Sequence, residues 1–193
     1  ITFSSDRFSE NDNAIYVDSV GDISVPMSNS IGNAFTITAW IKTESTTTYQ
    51  CIASKHEIDG GFAFYVINGH YLRLRYYENG NNNFQAYATT LPLDSWAFVA
   101  ASFDGTTAAI YCNGTLLSHT ANYQDSTDIE SSFFIGNRPT GSTSNPFVGS
   151  IDDVMLFNRS LSQAEITQIY QYQYSTVAPT SSLWSESEEG LYF

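Results

Sequence analysis

Phe35-Thr36-Ile37-Thr38-Ala39-Trp40-Ile41-Lys42 alternates strictly, with Phe35, Ile37, Ala39 and Ile41 on one side and Thr36, Thr38, Trp40 and Lys42 on the other. A two-residue period is that of a β-strand with one face on a core and a wetter face opposite. Tyr71-Leu72-Arg73-Leu74-Arg75-Tyr76 repeats the logic, setting Leu72, Leu74 and Tyr76 against both arginines. Between such segments stand Asn68-Gly69, Asn79-Gly80, Asp104-Gly105 and Asn113-Gly114. These pairs tolerate the positive φ that tight hairpins require, so the chain reads as an antiparallel meander. Further strands are expected near Ala14–Asp18, Tyr49–Ser54, Gly61–Ile67, Phe84–Ala88, Ala97–Phe103, Ala108–Asn113, Ser132–Gly136 and Phe147–Phe157. That many strands in one domain fold as two packed sheets.

One helix is expected, after the last strand. Ser162-Gln163-Ala164-Glu165 has the capping-box pattern, with Leu161 and Ile166 at the positions of a hydrophobic staple. The helix should run to about Tyr172 and lay Ile166, Ile169 and Tyr170 on a sheet edge. Residues 1–174 form the expected domain. The following 175–193 tail is rich in Ser, Thr and Glu, yet it carries Leu183, Trp184, Leu191, Tyr192 and Phe193. Such composition predicts a linker, and ordering it requires docking. The partner is either its own domain or a groove or sheet edge on a neighbouring copy, with the five apolar residues as anchors. Glu189–Phe193 is also similar to a viral protease tag site, a third reading.

The 193 residues hold 20 Asp or Glu against 7 Lys or Arg, a formal charge of −13. That balance is repelled by phosphate backbones and anionic lipid, which argues against nucleic acid or a bilayer as partner. With 42% apolar and 15% aromatic residues, most of the chain has the material for a core. The longest apolar run, near Trp96–Phe103, is too short to span a bilayer as a helix. The first residue is Ile1, consistent with a mature chain after signal-peptide removal. Cys51 and Cys112 allow a single bridge, and Asn113-Gly114-Thr115 and Asn158-Arg159-Ser160 are sequons, so an extracellular, N-glycosylated setting is expected.

No nucleophile elbow or phosphate-binding glycine loop is present. His56, His70 and His119 lack the spacing of zinc ligands. Calcium is the ion that an acidic secreted domain serves best, because it takes several hard oxygens from strand ends and loops.

In order along the chain, Asp6-Arg7-Phe8, Ala14–Asp18, Asp22–Pro26, Phe35–Ile41, Ala53–His56, Leu91–Ala100, Phe103–Thr106, Ile110–Gly114, Phe134–Asn137, Phe147–Asn158 and Leu161–Tyr170 resemble the laminin G-like domains of the concanavalin A-like superfamily. The resemblance spans about residues 1–172. It implies an all-β jelly-roll sandwich of two antiparallel sheets with one short C-terminal helix, used mostly to bind or display rather than to catalyse. It also implies a structural calcium site from Asp6, Asp152 and Asp153, completed by Asn13 or Asp18. The bland alternative has Asp152 and Asp153 alternating, one solvated and one bonded to a loop amide. Cys51 and Cys112 stand where relatives usually carry uncharged residues other than cysteine. Jelly-roll glycosidases of the superfamily carry E-x-D-x-E on one strand. Here Glu57 and Asp59 match, but Gly61 replaces the third carboxylate, so the acid that would protonate a leaving group is missing and no catalytic residue is assigned.

Glycan binding is the fold's second use, and sugar recognition needs aromatic platforms beside planar donors. Trp40, Arg73, Arg75, Tyr77 and Tyr87 are the candidates, weighed against an ordinary exposed aromatic face. The leading expectation is a non-enzymatic secreted adhesive or structural subunit whose partners are neighbouring copies or other extracellular proteins, extending to filaments through the tail. The runner-up is a carbohydrate-binding module of a larger secreted protein.

Overall fold

The computed structural model describes residues 1–18, 21–27, 31, 32, 34–46, 49–57, 60–78, 81–89, 91–121, 132–138, 145–175 and 190–192. The strands are β1 (Thr2–Ser4), β2 (Ala14–Asp18), β3 (Ile23–Val25), β4 (Phe35–Thr43), β5 (Gln50–Glu57), β6 (Gly60–Ile67), β7 (Tyr71–Glu78), β8 (Asn81–Thr89), β9 (Ala97–Phe103), β10 (Thr107–Cys112), β11 (Thr115–Ala121), β12 (Phe133–Ile135), β13 (Val148–Phe157) and β14 (Gly190–Tyr192), with α1 over Gln163–Ser175. All pairings are antiparallel and fall into two sheets. One runs β1-β2-β13-β4-β9-β10-β11, with β14 also on β13; the other runs β3-β12-β5-β6-β7-β8. The expected two-sheet antiparallel sandwich with one helix is therefore the observed fold.

The inward residues of both sheets make one core, including Phe35, Ile37, Ile41, Phe62, Phe64, Val99, Ile110, Phe133 and Phe147. Phe35 of β4 stacks on Phe62 of β6 with ring centroids 4.2 Å apart, tying the layers together. Turn chemistry works as the dipeptides require: Asn68-Gly69 and Asn113-Gly114 both take positive φ at both residues. Asn79-Gly80 lies outside the described residues. At Gly149 (φ 138°) β13 passes so close to β4 that a Cβ would run into the carbonyl oxygen of Lys42.

The capping box at α1 is formed in both directions. Ser162 N donates to Glu165 Oε2 at 2.7 Å, and Glu165 N donates to Ser162 Oγ at 3.3 Å. The helix does not sit on a sheet edge, as the pattern suggested, but across the outer face of the larger sheet. Ile166 and Leu161 join Trp40, Phe98, Ala100, Tyr111, Met155 and Phe157 in a second apolar cluster there. For the same reason the "wetter" face of β4 is dry: Thr36, Thr38 and Trp40 are all buried. Gln163 Nε2 and Thr167 Oγ1 both donate to the Gly114 carbonyl, at 2.6 and 2.9 Å, pinning α1 to the β10–β11 turn. The helix extends past Tyr172 because its last turn is held: Gln173 accepts from Trp40 Nε1 at 3.0 Å, and its carbonyl accepts from Arg7.

Candidate functional site

The acidic residues singled out from the sequence meet a cation supplied by the chain itself. A register break in β13 between Asp152 and Met155 inserts one extra residue opposite β4, and Asp153 takes φ 46°. On a regular strand the two carboxylates would point to opposite faces; the bulge lets both reach Arg7. Arg7 Nη1 lies 2.9 Å from Asp152 Oδ2 and Nη2 lies 2.7 Å from Asp153 Oδ2. The guanidinium is also 4.5 Å from the Phe8 ring centre and 4.8 Å from that of Trp40. Asp6 is buried and organises its own loop, its Oδ1 accepting from the amides of Phe8 and Glu10 at 2.8 and 3.0 Å and its Oδ2 from Asn13 at 3.3 Å. Burial and the adjacent Asp153 carboxylate push Asp152 up to about 7, against the downward pull of Arg7.

Asp6, Asp152 and Asp153 thus do not fit the expected calcium shell. Arg7 takes the two strand carboxylates and backbone amides take the third. Among the described residues no group of three or more His, Cys, Asp or Glu could hold a metal ion.

Trp40 corrects the expected sugar platform. It lies on the outer face of β4, opposite the Phe35 side, but it is only 3% exposed beneath α1 and packs on Phe98 and Tyr170. It is a core residue, not an exposed sugar platform. The expected disulfide is a second correction. Both thiols are free and buried. Cys51 packs with Ala63 and Tyr65, whereas Cys112 belongs to the core between the sheets. Burial pushes Cys51 up to about 12 and Cys112 up to about 11.

Arg73 and Arg75 do share a face. In register, Arg73 stands opposite Tyr65, and Arg75 opposite Ala63, on the side of the smaller sheet turned away from the core. Arg73 is 4% exposed; its Nη1 donates to Tyr49 Oη at 3.0 Å and its guanidinium lies 5.7 Å from that ring centre. Tyr49 meets Tyr65 edge-on at 5.8 Å. Tyr49 and Arg75 are half-buried, and Tyr71, on the same face, is exposed. Sequence reasoning passed over Tyr49, Tyr65 and Tyr71. Their signal was available, since each shares the two-residue period of a neighbouring outward residue. Tyr77 is in β7 and Tyr87 in β8, opposite Arg73, but their side chains lie outside the described residues, as do those of His56, Glu57 and His119. Asp59, Leu183, Trp184 and Phe193 lie outside them altogether.

Asn113 and Asn158 are exposed. Asn113 Oδ1 accepts from the Phe98 amide at 3.0 Å. A half-open cleft of about 170 Å³ lies where β2 and β13 approach β3 and β12, lined by Ile15, Ile23, Val25, Ile135 and Ile151 with Asn13, Asp152 and Asp153. It is smaller than the roughly 300–1,000 Å³ of a typical ligand pocket. No described helix is long and apolar enough to cross a membrane.

A profile for the concanavalin A-like lectin/glucanases superfamily, in its Laminin_G_3 division, matches residues 15–167. The chain belongs to this family. A search of curated protein sequences finds no match. Among solved structures, domain 4 of AbnA, an extracellular GH43 arabinanase of Geobacillus stearothermophilus, in complex with arabinotriose, aligns over 82% of this chain and 76% of its own, with 20% identity and TM-score 0.66. The sialidase CBM40 of Ruminococcus gnavus bound to α2,3-sialyllactose aligns over 81% and 97%, with 16% identity and TM-score 0.63. A heptameric SAP-like pentraxin of Limulus polyphemus aligns over 88% and 82%, with 17% identity and TM-score 0.61. At these identities the likeness is one of fold; two of these structures were solved with an oligosaccharide in place.

Proposed function

We propose that this chain is a carbohydrate-recognition module of an extracellular protein, binding on the outward face of the smaller sheet around Tyr49, Tyr71, Arg73 and Arg75. The observation that carries this reading is the Arg73–Tyr49 pair, in which a buried guanidinium fixes a half-exposed aromatic ring by a 3.0 Å hydrogen bond. A ring held in this way offers an apolar face to sugar C–H groups at little entropic cost, and Arg75 beside it supplies planar donors for ring hydroxyls. Its support also includes the arabinotriose and sialyllactose complexes of two structural neighbours. The module reading takes precedence over the adhesive-subunit one because of those neighbours. The free, buried thiols are compatible with either side of a membrane, so the extracellular assignment draws its support from the sequons and from secreted neighbours such as the arabinanase.

The test is a glycan array followed by calorimetry on the best ligand. Tyr71→Ala and Arg75→Ala should each weaken binding by about tenfold, the equivalent of 1.4 kcal/mol, and the exposed Tyr71→Ala should do so with no change in melting temperature. Absence of binding across neutral and acidic glycans, or binding indifferent to both substitutions, would sink the proposal.

A further inference from the structure

The C-terminal strand β14 lies on an edge of β13. β13 pairs along its length with β4 on one side. On the other side β2 covers only Val148–Ile151, which leaves Met155–Phe157 as an open edge that β14 closes, with Gly190, Leu191 and Tyr192 opposite Phe157, Leu156 and Met155. An edge of this kind accepts any strand of suitable sequence, because the main chain supplies the bonds.

We propose that Met155–Phe157 is a strand-addition site that exchanges its own Gly190–Tyr192 for the same segment of a second copy. The connection decides between the two. α1 starts beside the Phe157 end of β13 and runs back along it, since Gln173 bonds to Trp40 and Trp40 stands opposite Asp152. Asp152 stands opposite Trp40 and Phe157 opposite Thr36, four residues along β4, about 13 Å at 3.3–3.4 Å each. The chain leaving Ser175 must therefore retrace about 13 Å or more to bring Gly190 opposite Phe157. The intervening residues 176–189 reach about 50 Å when extended, ample slack for pairing within one copy. A tether of that length gives an effective concentration in the millimolar range. Self-pairing therefore dominates at micromolar concentration, and exchange becomes competitive when copies are crowded or tethered to millimolar density. Reciprocal exchange closes a two-fold dimer, and head-to-tail exchange builds a chain.

Two measurements decide it. Deleting residues 177–188 leaves a two-residue linker that reaches only about 10 Å, too short for self-pairing. This variant should sediment as a dimer or larger at micromolar concentration, and the same variant also lacking residues 190–193 should be monomeric. A folded short-linker variant that stays monomeric, or one that remains associated without residues 190–193, overturns the proposal. Should the deletion unfold the domain, the intact chain decides instead. Copies carrying donor and acceptor dyes on the N-terminal amine should show more energy transfer near millimolar concentration than the same chain lacking residues 190–193, and none at micromolar; equal transfer in the two chains overturns it.

Discussion

Arg7 and Asp152 meet at 2.9 Å although 145 positions separate them in the chain. With Asp153 on the second nitrogen, this clamp fastens the N-terminal loop across β13 beside the end of α1. Removing the guanidinium takes away the pull that opposes the rise at Asp152, and the ion pair to Asp153. Arg7→Ala should cost about 3 kcal/mol, the range for breaking a buried pair from one side. Melting in calcium should match melting in chelator for the wild-type chain. A calcium-dependent rise in Tm would show that the carboxylates gather a metal after all.

Trp40→Ala should destabilise the fold by about 3 kcal/mol or more, because it empties the cluster beneath α1 and leaves Gln173 without its donor. Urea unfolding measures this. A surface platform would behave in the opposite way, losing glycan affinity at unchanged stability.

The acid limb of stability should depend on Glu165. The Ser162 amide, the Ser162 hydroxyl and Arg159 together lower its carboxyl to about 2 from an ordinary 4.5. A depressed carboxyl stabilises the fold above its unfolded pKa, so this contribution is full above about 4.5 and fades as the pH falls towards 2. Glu165→Gln should flatten that limb. Asp152 has the opposite sign. Its carboxyl is raised to about 7, so its neutral form favours the fold; the contribution is full below about 3.8 and is lost as pH rises through about 7. Asp152→Asn should remove that decline, as followed by Tm from pH 4 to pH 8.

Neither thiol should react with an aromatic disulfide reagent at neutral pH in the native protein, since both are buried and held far above the ordinary thiol range. In denaturant without reductant two thiols should titrate. Recovery of none would restore the Cys51–Cys112 bridge.

Alternation at Phe35–Lys42, the Asn-Gly turns and the Ser162–Glu165 box made the sandwich and its helix legible, because each is a local consequence of strand period, turn φ or capping. The same alternation placed Trp40 on its correct face, yet said nothing of what covers that face. The strands missed in reading, β1, β3, β11 and β14, are short or have exposed apolar residues such as Phe3 and Leu116, so period alone does not mark them.

The candidate site was legible only in part. Arg73 and Arg75 announced a shared face through their spacing, and that local fact holds in the structure. Arg7 as the partner of Asp152 and Asp153 depends on a bulge and on a loop 145 positions away, and the separation of Cys51 from Cys112 depends on which sheet each strand joins. The chain by itself determined most of the strands, the turns, the helix start and the family, since those rest on interactions between near neighbours. Which charges pair, which aromatic rings stay wet and where the last strand docks were decided only by tertiary structure. Those outcomes belong to residues brought together from distant parts of the chain, and burial is a property of what packs above a residue rather than of the residue itself.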